Sequence, residues 1–160
     1  AGGLETHARS AGGSITGLYT ILVEGDDMTE PIADAARGIL DGHLILSRKL
    51  AQKAHYPAVD VLDSVSRVAD DVTDAAHIAA RQRLMRLLAI YREVEDLVQI
   101  GAYAKGTNPE ADVAIELQPS INTLLRQGKT DATGFEESKA VMLRIAAQAA
   151  EMLARVPKRR

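Results

Sequence analysis

The chain has 160 residues, 46% of them apolar and 26% charged, with no cysteine and a net charge of -3. That balance is globular rather than disordered, and the absence of cysteine excludes disulfides and fits the cytosol. The weak acidity gives no electrostatic ground for expecting nucleic acid or an anionic membrane as partner.

Only 3% of residues are aromatic, with no Trp and one Phe, so the core must be built from Leu, Ile, Val, Ala and Met. The longest uncharged run, Ser10 to Val23, is broken by glycines and falls short of the ~20 residues of a membrane span. No cleavable signal is visible. The chain opens on Ala1, and its first thirteen residues hold four glycines and no hydrophobic period. It reads as starting partway through a longer protein. The basic end, Lys158-Arg159-Arg160, reads as a solvated terminus.

In chain order, Ile15 to Val23 is apolar and β-branched, as in a strand buried in a parallel sheet. Pro31 suits the first turn of a helix running to about Leu40, where Asp41-Gly42 turns the chain. His43 to Leu46 reads as a second strand, and Ser47 as the cap of a helix through about Ala54. This alternation is that of a crossover unit. Two strands make no independent sheet of this kind, so further strands are expected upstream. Tyr56-Pro57 forces an extended step.

The second half is helical. Leu84, Leu87, Leu88, Tyr91, Val94 and Val98 recur at three- and four-residue spacing, which predicts a long helix from about Asp74 to Gly101. Asn108-Pro109 starts the next stretch, Pro119 is expected to break it in two, and Ile121, Leu124 and Leu125 give its buried face. After a loop from Gly128 to Gly134, a last helix runs from Phe135 to Leu153 with Val141, Ile145 and Met152 inward. A bundle of three or four helices follows an α/β unit.

Little chemistry is visible in the residues alone. No glycine-rich GxxxxGK[ST] loop occurs, so the backbone cradle and lysine for a nucleotide's phosphates are missing. There is no GxSxG elbow, and His7, His43, His55 and His77 share no metal-ligand spacing. Metal ligation is therefore not expected. The stretch Glu24-Gly25-Asp26-Asp27-Met28 fails the calcium-loop pattern in either register. Taken alone, Arg67 before Asp70 and Asp71 is a surface ion pair of small value.

GSITGLYTILVEGDDMTEPIADAARGILDGHLILSRKLA, continuing through YPAVDVLDSVSRV, resembles the catalytic subunits of the rotary ATPases. Within that group it looks most like the flagellum-specific export ATPase and its type III secretion relatives, from about Gly13 to Phe135. The segment GAYAKGTNPEADVAI tilts the resemblance to that branch, because the equivalent loop of ATP synthase β subunits is strongly acidic. The fold implied is α/β then all-α. Residues 1–73 would be the C-terminal part of a RecA-like P-loop ATPase domain, with its phosphate loop upstream, and residues 74–160 a C-terminal helical bundle domain.

The resemblance also implies roles. Tyr56 in YPAVD would stack on the adenine of ATP, and Arg67 in SVSR would be an arginine finger acting in trans on a neighbouring subunit. Asp26, Asp27, Thr29 and Glu30 in GDDMTEP, with Tyr103, Lys105 and Glu110 of the 103–112 loop, would meet a coiled-coil stalk protein. Lys129 to Phe135 matches loosely a stretch approaching the adenine from the other side.

The implied cofactor is ATP with Mg, its phosphate and Mg ligands lying upstream. The implied setting is a cytoplasmic homohexamer, peripheral at the inner-membrane export gate, handling export substrates and their chaperones. Two rivals share parts of the pattern. One is the catalytic subunit of a proton-translocating rotary ATP synthase. The other is a hexameric RNA translocase of the terminator type, for which the basic, aromatic-studded stripe of an RNA path is lacking.

Overall fold

Proline and capping side chains start the helices where the sequence places them. In the computed structural model, which describes residues 16–23 and 30–155, the order is α1 (Pro31–Ile39), β1 (Gly42–Leu46), α2 (Arg48–Gln52), β2 (Val59–Ser66), α3 (Ala75–Gln99), α4 (Pro109–Leu125) and α5 (Phe135–Ala154). Pro31 occupies the first turn of α1. Ser47 accepts from the Leu50 amide, Asp74 from the His77 amide, and Asn108 from the Glu110 and Ala111 amides. Each cap satisfies amides that the first helical turn leaves without partners.

The core is the seam where α3, α4 and α5 pack together. Ala80, Leu84 and Leu87 meet Val113, Ala114, Leu117 and Ile121, with Ile145, Ala146 and Ala149 closing the third side. Alanines at Ala80, Ala114 and Ala149, each at most 1% exposed, let the backbones approach closely. Leu88, Tyr91, Leu124, Leu125, Val141 and Met152 pack around this centre as half-buried residues. The α/β unit followed by an all-α bundle is the expected architecture, with three helices in the bundle.

Two local expectations fail. Residues 16–23 form no strand, and Leu18 and Leu22 stand 93% and 94% exposed. Among the described residues β1 pairs with β2 alone, antiparallel. An apolar run with no strand beside it has no partners for its amides and carbonyls and leaves them in water. Nor does Pro119 divide α4, which runs unbroken through it. A proline inside a helix costs about 3 kcal/mol, whereas burying a leucine or isoleucine contributes about 1.5–3 kcal/mol each. Leu117 and Ile121, the two largest fully buried side chains among the described residues, flank the proline and offset its cost. Pro119 itself faces outward.

The hairpin is irregular where it matters. Gly42 pairs with Ser66 and His43 with Val65, but Ile45 then pairs with Asp60, so Leu44 faces a bulge of residues 61–64. The Ser64 hydroxyl takes over part of the broken ladder. It accepts from the Ile45 amide at 2.9 Å and donates to the Asp60 carbonyl at 2.6 Å. A Cβ on Gly42 would lie 2.6 Å from the Val65 carbonyl oxygen. Only glycine allows the strands to close just ahead of Arg67.

Candidate functional site

Arg67 is the first residue beyond β2. Its amide donates to the Asp41 carbonyl at 2.7 Å, which ties the strand end to the turn after α1. Its guanidinium donates to the Arg37 carbonyl at 3.1 Å and is otherwise exposed. Among the described residues no carboxylate pairs with it. Asp70, the partner expected of a surface pair, bonds Arg81 instead. A guanidinium has five N–H donors in a planar fork. One edge rests on a carbonyl here, and the rest can receive an anion from outside the chain.

Tyr56 lies between Ala54, at φ 52°, and a cis bond to Pro57. The residue is 56% exposed, while its carbonyl accepts from the Gln127 amide at 2.9 Å. The turn carrying Tyr56 is thereby fastened to the start of the α4–α5 connection. That connection is itself shaped by Asp131, whose carboxylate accepts from the Gly128 amide at 2.7 Å. At its far end Phe135 stacks on His77, ring centroids 5.6 Å apart. Lys129 to Phe135 thus starts two residues after the Gln127 bond to Tyr56 and ends with Phe135 against His77 of α3.

His55, next to Tyr56, is buried, and its amide donates to the Leu50 carbonyl at 3.0 Å. Burial pushes its imidazole below the ordinary 6.5, and the nearby Arg126 charge adds to the shift. A folded state that resists protonation is fully stable above the unfolded pKa and loses stability as pH falls through the folded one. Urea unfolding followed from about pH 7.5 to about pH 5 should therefore show stability falling below about 6.5. His55→Gln should flatten that slope. An unchanged slope in the variant would assign the acid sensitivity elsewhere.

The connection between α3 and α4 is a self-bonded loop. Gly101 and Gly106 take φ of 70° and 89°, where a side chain would strain the backbone. The Tyr103 hydroxyl donates to Asp112 Oδ1 at 2.9 Å and the Gly106 amide to Asp112 Oδ2 at 2.8 Å. Burial and Asp112 together raise the Tyr103 hydroxyl above the usual phenol range. Arg86 grips Glu110 through both oxygens, at 2.8 and 2.6 Å, and holds its carboxyl below the usual range. Tyr103 and Glu110 are thus engaged within the chain, while Lys105 stands exposed at the loop tip. Glu30 precedes α1, and its carbonyl accepts from the Asp34 amide at 2.9 Å. Asp26, Asp27 and Thr29 lie outside the described residues. Those residues contain no cluster of acidic and histidine side chains able to hold a metal ion.

Among the ties that sequence reasoning missed are the Gln127 bond to Tyr56 and the grip of Arg92 on the β2 bulge. Arg92 binds Asp60 at 2.5 Å and Asp63 at 3.0 Å. Neither has a spacing signature, because each joins elements far apart in the chain.

Residues 3–66 match the family model of the ATP synthase alpha/beta nucleotide-binding domain, and residues 73–144 match that of the T3SS EscN ATPase C-terminal domain. The flagellum-specific ATP synthase of Pseudomonas aeruginosa is 48% identical over 134 residues, which are 84% of this chain and 30% of that protein. The type 3 secretion system ATPase of Pseudomonas syringae pv. tomato is 45% identical over 148 residues, 92% of this chain and 33% of that protein. The chain therefore spans about a third of the length of these relatives. Among solved structures, the assembled ATPase EscN of enteropathogenic E. coli in complex with its central stalk EscO superimposes with a TM-score of 0.76 at 37% identity, over 86% of this chain and 32% of that one. Both halves of the chain and their order are accounted for: it belongs to the ATP synthase alpha/beta family, in the branch of the flagellum-specific and type III secretion ATPases.

Proposed function

We propose that the chain serves in a homohexameric ATP-hydrolysing motor that energises flagellar or type III protein export. The observation that carries this reading is Arg67. Its guanidinium is exposed at a strand end and has no carboxylate partner among the described residues, and in this reading the SVSR motif makes it the family's arginine finger. An arginine finger supplied to a neighbour's site is worth ~10³–10⁵ in rate, or about 4–7 kcal/mol of barrier. The planar fork suits the equatorial oxygens of a transferring phosphoryl group.

The fit to ATP is divided. Tyr56 offers an exposed ring for the adenine, and the 127–134 connection stands beside it. The triphosphate and Mg have no cradle here, because the 160 residues hold no GxxxxGK[ST] loop. Residues outside them must supply those ligands. We divide the chain into residues 1–73, part of the nucleotide-binding domain, and residues 74–160, the helical domain.

Asp26, Asp27, Thr29 and Glu30 form one contact with a coiled-coil stalk, and the loop of Tyr103, Lys105 and Glu110 the other. Lys105 supplies the exposed charge, while Tyr103 and Glu110 hold the loop's shape. A stalk-bound relative of the same fold supports a stalk as the partner. No described helix is long and apolar enough to cross a membrane. In this reading the motor works on the cytoplasmic side of the inner membrane, peripheral to the export gate, where it meets export substrates and chaperones. The two named relatives, a flagellum-specific ATP synthase and a type 3 secretion system ATPase, favour export over ATP synthesis or RNA translocation.

Tyr56→Ala in the full-length enzyme tests the nucleotide assignment. Stacking of a base on an aromatic ring is worth about 1–3 kcal/mol, so KM for ATP should rise ~10-fold with kcat nearly kept. Tyr56→Phe should behave as the parent. An unchanged KM in Tyr56→Ala would remove the adenine role.

A further inference from the structure

The β2 bulge is held from three directions. Asp60 Oδ1 accepts from the Leu62 amide at 3.1 Å and the Asp63 amide at 3.3 Å, so the carboxylate is oriented by the bulge it belongs to. Ser64 bridges the Ile45 amide and the Asp60 carbonyl across the hairpin. From the far side, Arg92 of α3 reaches both acids, with Nη2 on Asp60 and Nη1 on Asp63. The Asp60 side chain is only 16% exposed, so this pair is better shielded than an ordinary surface contact. A second tie, Lys53 to Glu95 at 2.7 Å, fastens α2 to the same face of α3 one turn on.

The placement of this clasp is informative. Ser64 closes the bulge, and Arg67 follows three residues later. A bulge bends its strand and increases the local twist, so its shape sets the direction in which the next residues leave. On the other side, Arg92 lies roughly two turns before the end of α3, and α3 leads straight into the loop of Tyr103 and Lys105.

We infer that Arg92 is a positioning residue, which clasps Asp60 and Asp63 across the β2 bulge and so sets the direction of Arg67 from helix α3. A displacement of the α3 end at the 101–112 loop is then carried to Arg67 through a two-armed ionic contact rather than through the connection of residues 67–74. Arg92 touches no nucleotide. It acts through the strand that carries the finger, and the inference rests on the reading of Arg67 as that finger.

The test uses the full-length enzyme with four variants: Arg92→Ala, Arg92→Lys, Asp63→Asn and Arg67→Ala. Arg92→Ala should lower kcat ~10-fold at unchanged KM for ATP, a smaller loss than removing the finger itself. Lysine can reach only one of the two acids, so Arg92→Lys should recover part of the rate. Asp63→Asn removes one arm at a half-exposed position and should lower kcat a few-fold, which keeps the idea testable if Arg92→Ala folds poorly. Hydrogen exchange at the Leu62, Asp63 and Ile45 amides should accelerate in Arg92→Ala, with the α4–α5 core unchanged.

Wild-type kcat in Arg92→Ala and Asp63→Asn, beside a large loss in Arg67→Ala, overturns the clasp and leaves the finger standing. A loss of kcat that only tracks a lowered melting temperature also overturns it, as does faster exchange across the whole bundle. Normal turnover in Arg67→Ala removes the finger reading, and the clasp with it.

Discussion

Arg67→Ala in the full-length enzyme is expected to cut kcat by ~10² or more while leaving ATP affinity and the fold largely intact. Among the described residues the side chain makes one hydrogen bond, to the Arg37 carbonyl at 3.1 Å, and is otherwise exposed. Surface substitutions of that kind shift stability by about 0.5 kcal/mol or less, so a large loss of turnover could not be laid to unfolding. A finger acts on charge that develops during phosphoryl transfer, which is why kcat rather than KM should fall. Arg67→Lys should restore only part of the rate, since an ammonium cannot make the forked contact. Parallel steady-state kinetics and equilibrium nucleotide binding on the three proteins decide it. Near-normal turnover would return Arg67 to an ordinary surface residue.

Leu117→Ala carries the largest expected cost in stability. Leu117 is 1% exposed, at the seam of α3, α4 and α5, one helical turn from the fully buried Ile121. Leucine-to-alanine changes at such sites cost about 2–5 kcal/mol, the spread reflecting how far the surroundings collapse. Here the upper part of that range is expected. The neighbours Ala80, Ala114 and Ala149 have no side-chain length with which to fill the hole. Ile100→Ala, at 75% exposure, should change stability by no more than about 0.5 kcal/mol. Urea unfolding of both variants gives the comparison, and a Leu117→Ala cost near that of Ile100→Ala would contradict the described core.

The helical half was legible because its information is local. The period of Leu84, Leu87, Leu88 and Tyr91 and the caps Asp74 and Asn108 each act over a turn or two, and the helices begin where they point. Pro119 misled because its local preference was outweighed by the burial of Leu117 and Ile121, which depends on helices elsewhere in the chain. The strand half was less legible. Val59, Val61 and Val65 carry a strand pattern, but Leu62-Asp63-Ser64 breaks the alternation at the bulge and hides β2. The run before Val23 has strand composition without a described neighbour to pair with. Of the site, Arg67 and Tyr56 came from motif order alone. Their physical settings, the carbonyl under Arg67 and the Gln127 bond to Tyr56, join distant elements and leave no trace in spacing. Glu110 reads in sequence only as a stalk contact implied by the resemblance, and the structure sets Arg86 beside it as a partner within the chain.

That Arg67 acts on a neighbouring subunit's nucleotide is tested most directly by mixing two inactive proteins. One carries Arg67→Ala and the other a disabled phosphate loop, both in the full-length enzyme. A finger supplied in trans belongs to a different subunit from the phosphate loop of the same site. Rings that contain both proteins then hold some interfaces where an intact loop faces an intact finger. Hydrolysis measured across a series of mixing ratios should rise above both parents and peak at intermediate composition. Activity that never exceeds the weighted sum of the two parents, in rings shown to be mixed, would contradict an arginine acting between subunits.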